Sequence, residues 1–190
     1  AGLSVPALSV SVTDNDSAAN DSSANGSAGV TIDPYSGPVS FLQWQIFGTS
    51  EQDIIRGTAG NDFMHGFAGD DAIDGGAGDD VIDSGTGSNF LVGGTGRDIF
   101  FIDARSPTVS TWGTITDWEA GEELALWGWR DGVSRSIWVD EDGAPGFRGR
   151  TLHVDIDGNG EIETSITWAG RSAAEVPVPD LSRPDLAWFV

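Results

Sequence analysis

Between Gly48 and Phe101 the sequence repeats every nine residues, six times in a row and without an insertion. The units are GTSEQDIIR, GTAGNDFMH, GFAGDDAID, GGAGDDVID, SGTGSNFLV and GGTGRDIFF. A unit this short cannot bury an apolar face by itself, so successive units must stack. Position eight is apolar in every unit: Ile55, Met64, Ile73, Ile82, Leu91 and Phe100. A three-residue strand with its middle residue inward would stack these into a narrow core. Two units then make one coil of a flattened right-handed spiral, with a turn on each edge and stacked turns two units apart. A flexible Gly- and Asp-rich linker is the competing reading of such composition. The unbroken register and the apolar eighth position argue against it.

The turns carry the chemistry. Position four is Gly60, Gly69, Gly78, Gly87 and Gly96, with Glu51 in the first unit. Glycine at this spacing permits positive φ, so a tight turn can aim its carbonyls at one point. Position six is Asp53, Asp62, Asp71, Asp80, Asn89 and Asp98. Carbonyls plus one side-chain oxygen per turn form a hard-oxygen set suited to Ca²⁺, with no nitrogen or sulfur donor for zinc. Two stacked turns supply roughly six oxygens, the lower end of the range for Ca²⁺. The position-six pairs 53/71, 62/80, 71/89 and 80/98 predict four ions. Asn89 supplies less charge than Asp, so the 71/89 site is expected to be weak, as is any site using the Glu51 turn.

Composition narrows the partners. The formal net charge is −21, from 30 acidic and 9 basic residues. This balance speaks against nucleic acid and anionic membrane surfaces, and it makes the metal-free chain repel itself. There is no cysteine, so neither a disulfide nor a thiolate metal site can form. No run of about 18 apolar residues exists, so no membrane insertion is expected. The opening AGLSVPALSV has no initiator Met and no basic stretch, so it does not read as a signal peptide, and the chain is expected to be a fragment or processed product.

Around the repeats the chain divides as follows. Residues 1–29 read as a linker or the end of an upstream domain, with a strand-like alternation at Leu8, Val10 and Val12. Residues 30–47 read as one or two strands capping the roll, with Ile46 on the inward position. The roll spans 48–103. Residues 104–170 read as an antiparallel β cap, with strands in Gly113–Trp129, Ser136–Val139, Thr151–Asp155 and Glu163–Trp168. Residues 171–190 are Pro-interrupted and read as mostly irregular, ending in the apolar run after Asp185. Phe63, Val81, Ile99 and Phe101 form an apolar stripe on the outer face. The Trp-rich segment with Trp112, Trp118, Trp127, Trp129 and Trp138 is expected to cover it. A sugar-binding platform is the other use for these rings.

The units from Gly57 to Phe101 resemble the RTX (repeats-in-toxin) repeats of bacterial type I secreted proteins. GTITDWEAGEELALWG at 113–128 is similar to the stretch that follows the repeats in serralysin-type proteases and alginate epimerase modules. DIDGNGEIETSITWAG at 155–170 is similar to a later element of theirs, and the acidic-then-apolar terminus to their uncleaved secretion signal. The resemblance implies an all-β fold, a parallel β-roll capped by antiparallel strands. It implies a calcium-dependent folding and type I secretion module, the C-terminal part of a larger secreted, extracellular protein, recognised by the export apparatus through the tail. It further implies that each ion is held by position-six side chains and by turn carbonyls. These would come from Gly57 and Ala59, from Gly66, Ala68 and Gly69, and from Gly75, Gly76, Ala77 and Gly78. Gly85 (in place of Ser84), Gly87, Gly94 and Gly96 complete the set.

No enzyme is expected within these residues. His65 and His153 lie outside any H-E-x-x-H, there is no cysteine nucleophile, and G-x-S-x-G does not occur. The Asp residues fall on the metal register, which accounts for them without catalysis. A catalytic domain upstream remains compatible with this, and a calcium-braced adhesin or polysaccharide-binding module is the rival function. Asp155, Asp157 and Asn159, with Gly160 at the sixth place, begin like an EF-hand loop. The twelfth position is Ile166 rather than Glu, so a polar hairpin turn is the expected reading. The Asp14–Asp16 triplet reads as solvated linker.

Overall fold

A computed structural model describes residues 29–105, 110–183 and 185–189. The described residues form fifteen β-strands and no helix, arranged in two sheets of eight and seven strands. The strand-like alternation and the triplet predicted within residues 1–28 lie outside the described residues.

The repeats fold with their period. β3 (Ile54–Arg56), β4 (Asp62–His65), β5 (Ala72–Asp74), β6 (Val81–Asp83), β7 (Gly87–Val92) and β8 (Ile99–Asp103) fall alternately in the two sheets. β4, β6 and β8 pair in parallel, and so do β3, β5 and β7, each at a separation of 18 residues. The eighth residue of each unit points inward. In the larger sheet β1 (Thr31–Pro34) is antiparallel to β2 (Trp44–Phe47), and β2 is parallel to β4. Ile46 thereby stacks on Met64, and the ladder runs Ile46, Met64, Ile82, Phe100. Facing it is the ladder Ile55, Ile73, Leu91. Each of these side chains is at most 2% exposed, so a single file of apolar contacts from each sheet makes the whole core of the roll.

After the repeats the chain departs from a purely antiparallel cap. β9 (Thr111–Ile115) and β10 (Glu123–Trp129) continue the two sheets in parallel, pairing with β7 and β8. β13 (Thr164–Ala169) adds to β9 in parallel as well. The inward ladders therefore extend to Leu124 on one side and to Ile115 and Trp168 on the other. The inward period outlives the nonapeptide signature, because only the turns need glycine and Asp. After the repeats, antiparallel pairing joins β11 (Arg135–Asp142) with β12 (Gly149–Asp155), β12 with β13, the last two strands with each other, and the last strand with β10.

The tail also departs from expectation. Residues 179–183 and 185–189 are not irregular: β14 (Pro179–Arg183) and β15 (Asp185–Phe189) form an antiparallel pair, and β15 pairs with β10. Ala187 and Phe189 are buried, and Phe189 stands opposite Leu124. The apolar terminus is thus a core strand. The open end of the roll supplies an unpaired strand edge that β15 satisfies.

Trp118 and Trp138, with Trp168, plug that end rather than cover the outer stripe. Trp118 lies 5.9 Å from Phe100 and 6.0 Å from Trp168, and Trp168 packs on Trp138 and Phe189. Trp127 does pack beside the stripe, 5.8 Å from Phe101 and under the Arg105 guanidinium. Phe63 is contacted instead by Tyr35 and Phe47. A wide roll end needs large side chains to fill it, and burying an indole there removes more apolar area from water than laying it on a surface.

Candidate metal centres along the roll edges

The turns of alternate units stack along two edges. Along one edge lie 48–53, 66–71 and 84–89; along the other lie 57–62, 75–80 and 93–98. Backbone hydrogen bonds join them, including Thr86 N–H to the Phe67 carbonyl and Thr95 N–H to the Gly76 carbonyl. Parallel bridges pair Ala68 with Thr86 and Ala77 with Thr95. Positive φ at Gly87 (111°) and Gly96 (143°) makes the close stacking possible, since a Cβ at either would collide with the carbonyl of Gly69 or Gly78.

The predicted position-six pairs are brought together. Asp71 Oδ1 accepts from Asp53 N–H, Asp80 Oδ1 from Asp62 N–H, Asn89 Oδ1 from Asp71 N–H and Asp98 Oδ1 from Asp80 N–H, all at 2.8–2.9 Å. All six side chains are buried, none more than 2% exposed. The second oxygen separates them into three kinds. In the first coil it is satisfied: Thr49 donates to Asp53 and Thr58 to Asp62 through both N–H and hydroxyl. In Asp71, Asp80 and Asp98, Oδ2 is buried without a hydrogen-bond partner among the described residues. In Asn89 that place is an amide donor, directed at the Ser84 carbonyl at 3.3 Å.

The orphaned oxygens share a neighbourhood. A methyl placed on Gly66 would sit 2.6 Å from both Asp71 Oδ2 and the Ser84 carbonyl. One on Gly75 would meet Asp80 Oδ2 at 2.7 Å and crowd the Gly93 carbonyl. A carboxylate oxygen of one coil and the position-one carbonyl of the next thus converge beside each position-one glycine. Six predicted ligands fall on this pattern: Asp53, Asp62, Asp71 and Asp80 by their carboxylates, and Gly66 and Gly75 by their carbonyls. The carbonyls of Ser84 and Gly93, outside the set expected from the sequence, stand at the same places, which register fixes and side-chain type does not. The Gly76 carbonyl has one lone pair committed to Thr95 N–H.

Buried oxygens facing each other without a counter-charge resist ionisation. Burial pushes Asp62 and Asp71 up to about 6 and Asp80 up to about 8, with neighbouring carboxylates adding to the rise at Asp71 and Asp80. Burial likewise raises Asp98 and Asp74. A divalent cation would reverse that penalty, since an opposite charge favours the ionised form. The donor set, all carboxylate and carbonyl oxygen, fits Ca²⁺.

The polar groups of the β12–β13 loop and around His153 are held by the fold. Asp155 accepts from Gly158 N–H and Gly160 N–H, Asp157 from Asn159 N–H, and Glu163 from Ile156 N–H. The loop between β12 and β13 is thereby braced, although Asp155, Asp157 and Glu163 offer oxygens within 4.8 Å of one another. Ile166 is buried in β13. His153 sits 2.8 Å from both Ser165 Oγ and Asp142 Oδ2. Ser165 is 4% exposed and directly opposite His153 in the sheet, so the trio reads as a cross-strand brace. His65 pairs with Asp83 at 2.9 Å.

A family model described as the RTX calcium-binding nonapeptide repeat (4 copies) matches residues 47–82 and 83–101. Comparison with curated proteins and with solved structures found no match.

Proposed function

We propose that calcium is the folding switch of this chain, whose residues 47–82 and 83–101 match the RTX calcium-binding nonapeptide repeat. The reading rests above all on Asp71, Asp80 and Asp98, whose Oδ2 atoms are buried without a partner among the described residues. Each lies where a cation would be shared with turn oxygens of the neighbouring coil. The ions would use the position-six side chains with the carbonyls of Gly57, Gly66, Gly75, Ser84 and Gly93, and with those of positions three and four. Asn89, with its amide donating to Ser84, makes the 71/89 place the poorest after any that uses the Glu51 turn.

Without the cation, clustered carboxylates repel, and one inward residue per unit buries too little to offset chain entropy. Binding energy is then folding energy. A site held at about 100 times its dissociation constant contributes about 2.7 kcal/mol, so several coupled sites contribute as much as a whole domain's stability. In a compartment poor in calcium the chain would stay unfolded and competent for export by a type I apparatus, and it would fold outside the cell. Residues 171–190 would carry the export signal, and β15 would be the strand into which it settles after release. The chain would act as a module of a larger secreted protein, and it is read as non-catalytic.

Far-UV circular dichroism and Trp emission, with calcium and with excess chelator, test this. A cooperative gain of β structure on adding calcium is expected. A chain equally folded in chelator overturns the reading.

A further inference from the structure

The two edges of the roll end differently. On the first edge the last position-six residue is Asn89, and its amide is satisfied by Asp71 N–H and the Ser84 carbonyl. β7 then runs directly alongside β9, with Gly87 opposite Thr111. On the second edge the last position-six residue is Asp98, and its Oδ2 is buried without a partner among the described residues. No further nonapeptide follows it. The loop between β9 and β10 takes the place of the next coil instead.

That loop reproduces the pattern of the repeats with different atoms. Glu123 N–H donates to the Asp98 carbonyl, as Ile99 N–H does to Asp80 and Ala72 N–H to Asp53. Glu122 therefore stands at the position-six place of a coil that the nonapeptide pattern does not encode. Asp117 accepts from Gly93 N–H at 3.0 Å and Gly94 N–H at 2.9 Å, ending the backbone ladder of that turn. Glu122 is 2% exposed, and its Oε2 accepts from Glu119 N–H at 2.7 Å. Its Oε1 is buried with no partner among the described residues. The two orphaned oxygens face one spot: a methyl on Gly93 would lie 2.6 Å from Asp98 Oδ2 and 2.8 Å from Glu122 Oε1. Beside Gly66 and Gly75 the corresponding spot holds one Asp Oδ2 and one carbonyl of the next coil. At Gly93, Glu122 Oε1 replaces that carbonyl.

Two carboxylate oxygens this close, both out of water, are costly unless something positive lies between them. We propose that Asp98 and Glu122 bind one further divalent cation, Ca²⁺, at the C-terminal end of the second edge, and that this ion seals the roll to the β9–β10 loop. The proposal rests on the reading of the repeats as calcium sites. It adds an ion that the nonapeptides do not encode, held by a carboxylate from outside them. It would couple the repeats to the cap: Glu122 precedes β10, which carries Leu124 into the core ladder and pairs with β15.

The test is calcium stoichiometry of the full chain, by equilibrium dialysis and calorimetric titration, for the wild type, Glu122→Gln and Gly93→Ala. In Glu122→Gln the carbonyl oxygen can keep the Glu119 N–H, and the amide can donate to Asp98 Oδ2, much as the Asn89 amide donates to the Ser84 carbonyl on the other edge. This variant should fold in saturating calcium, checked by circular dichroism, and bind one ion fewer. Gly93→Ala fills the spot with a methyl at a φ open to alanine and should lose the same ion. Equal stoichiometry in the wild type and Glu122→Gln, as expected if the two carboxyls share a proton instead of a cation, overturns this site and leaves the calcium switch standing. A wild type that binds no calcium removes both.

Discussion

Asp80 is the residue at which the calcium reading makes its most discriminating prediction. It lies mid-roll, fully buried, with Oδ1 on Asp62 N–H and Oδ2 unpartnered among the described residues. Burial raises its pKa from 3.8 to about 8 in the metal-free fold. The unfolded chain, with the lower pKa, holds fewer protons, so folding is penalised above pH 3.8 and the penalty is complete above pH 8. At pH 7 the chain lies about 3 pH units above the unfolded value. At about 1.4 kcal/mol per unit this is a penalty of about 4 kcal/mol. Asp80→Asn removes it and keeps the geometry: the amide oxygen can take Asp62 N–H, and the nitrogen can reach the Gly75 carbonyl, as Asn89 reaches Ser84. In chelator the variant should gain folded population, by up to roughly 10³-fold. In saturating calcium it should lose stability, about 2.7 kcal/mol if one site held at 100 times its dissociation constant is abolished. Urea titrations followed by circular dichroism, in chelator and in calcium, read both. A change of the same sign in the two conditions would refute the reasoning, since a merely structural carboxylate has no reason to reverse.

Acidification offers a variant-free check. Asp62, Asp71 and Asp80 all carry raised folded-state pKa values, so the metal-free chain should gain stability as pH falls from 8 toward 4; a flat folded fraction in chelator would contradict this. Phe189→Ala should cost about 3–5 kcal/mol in calcium, because Phe189 is 1% exposed and packs on Trp138 and Trp168; an unchanged urea midpoint would place β15 outside the core. Deletion of 185–190 should therefore impair folding as well as any export. Gly96→Ala should prevent calcium-induced folding, since its Cβ would collide with the Gly78 carbonyl. Gly132→Ala, with φ +75° and nothing within 4 Å, should cost only about 1 kcal/mol.

The roll was legible because every contact that defines it recurs at a fixed sequence separation. Ile55, Ile73 and Leu91 stack because they are 18 residues apart in a chain that turns every nine, and Asp62 meets Asp80 for the same reason. Three things were hidden. The place of the Ser84 carbonyl beside Asp71 Oδ2 comes from register, so its side chain carries no signal. The parallel course of β9 and β10 was hidden because the nine-residue spacing of Gly and Asp is lost while the inward alternation persists. The burial of Phe189 was hidden because it depends on an edge of β10 some 60 residues earlier.

The sequence by itself determined the period, the inward ladder, the all-oxygen donor set and hence the cation, since each is a local property repeated in register. The tertiary structure alone decided how the roll ends. Thr49 and Thr58 close the first coil's carboxylates, Asn89 closes one edge, and Glu122 meets Asp98 at the other. Termination happens once, so no repetition announces it. It is set by which side chains the fold carries to the last turn, and there two buried carboxylate oxygens face each other and call for a cation.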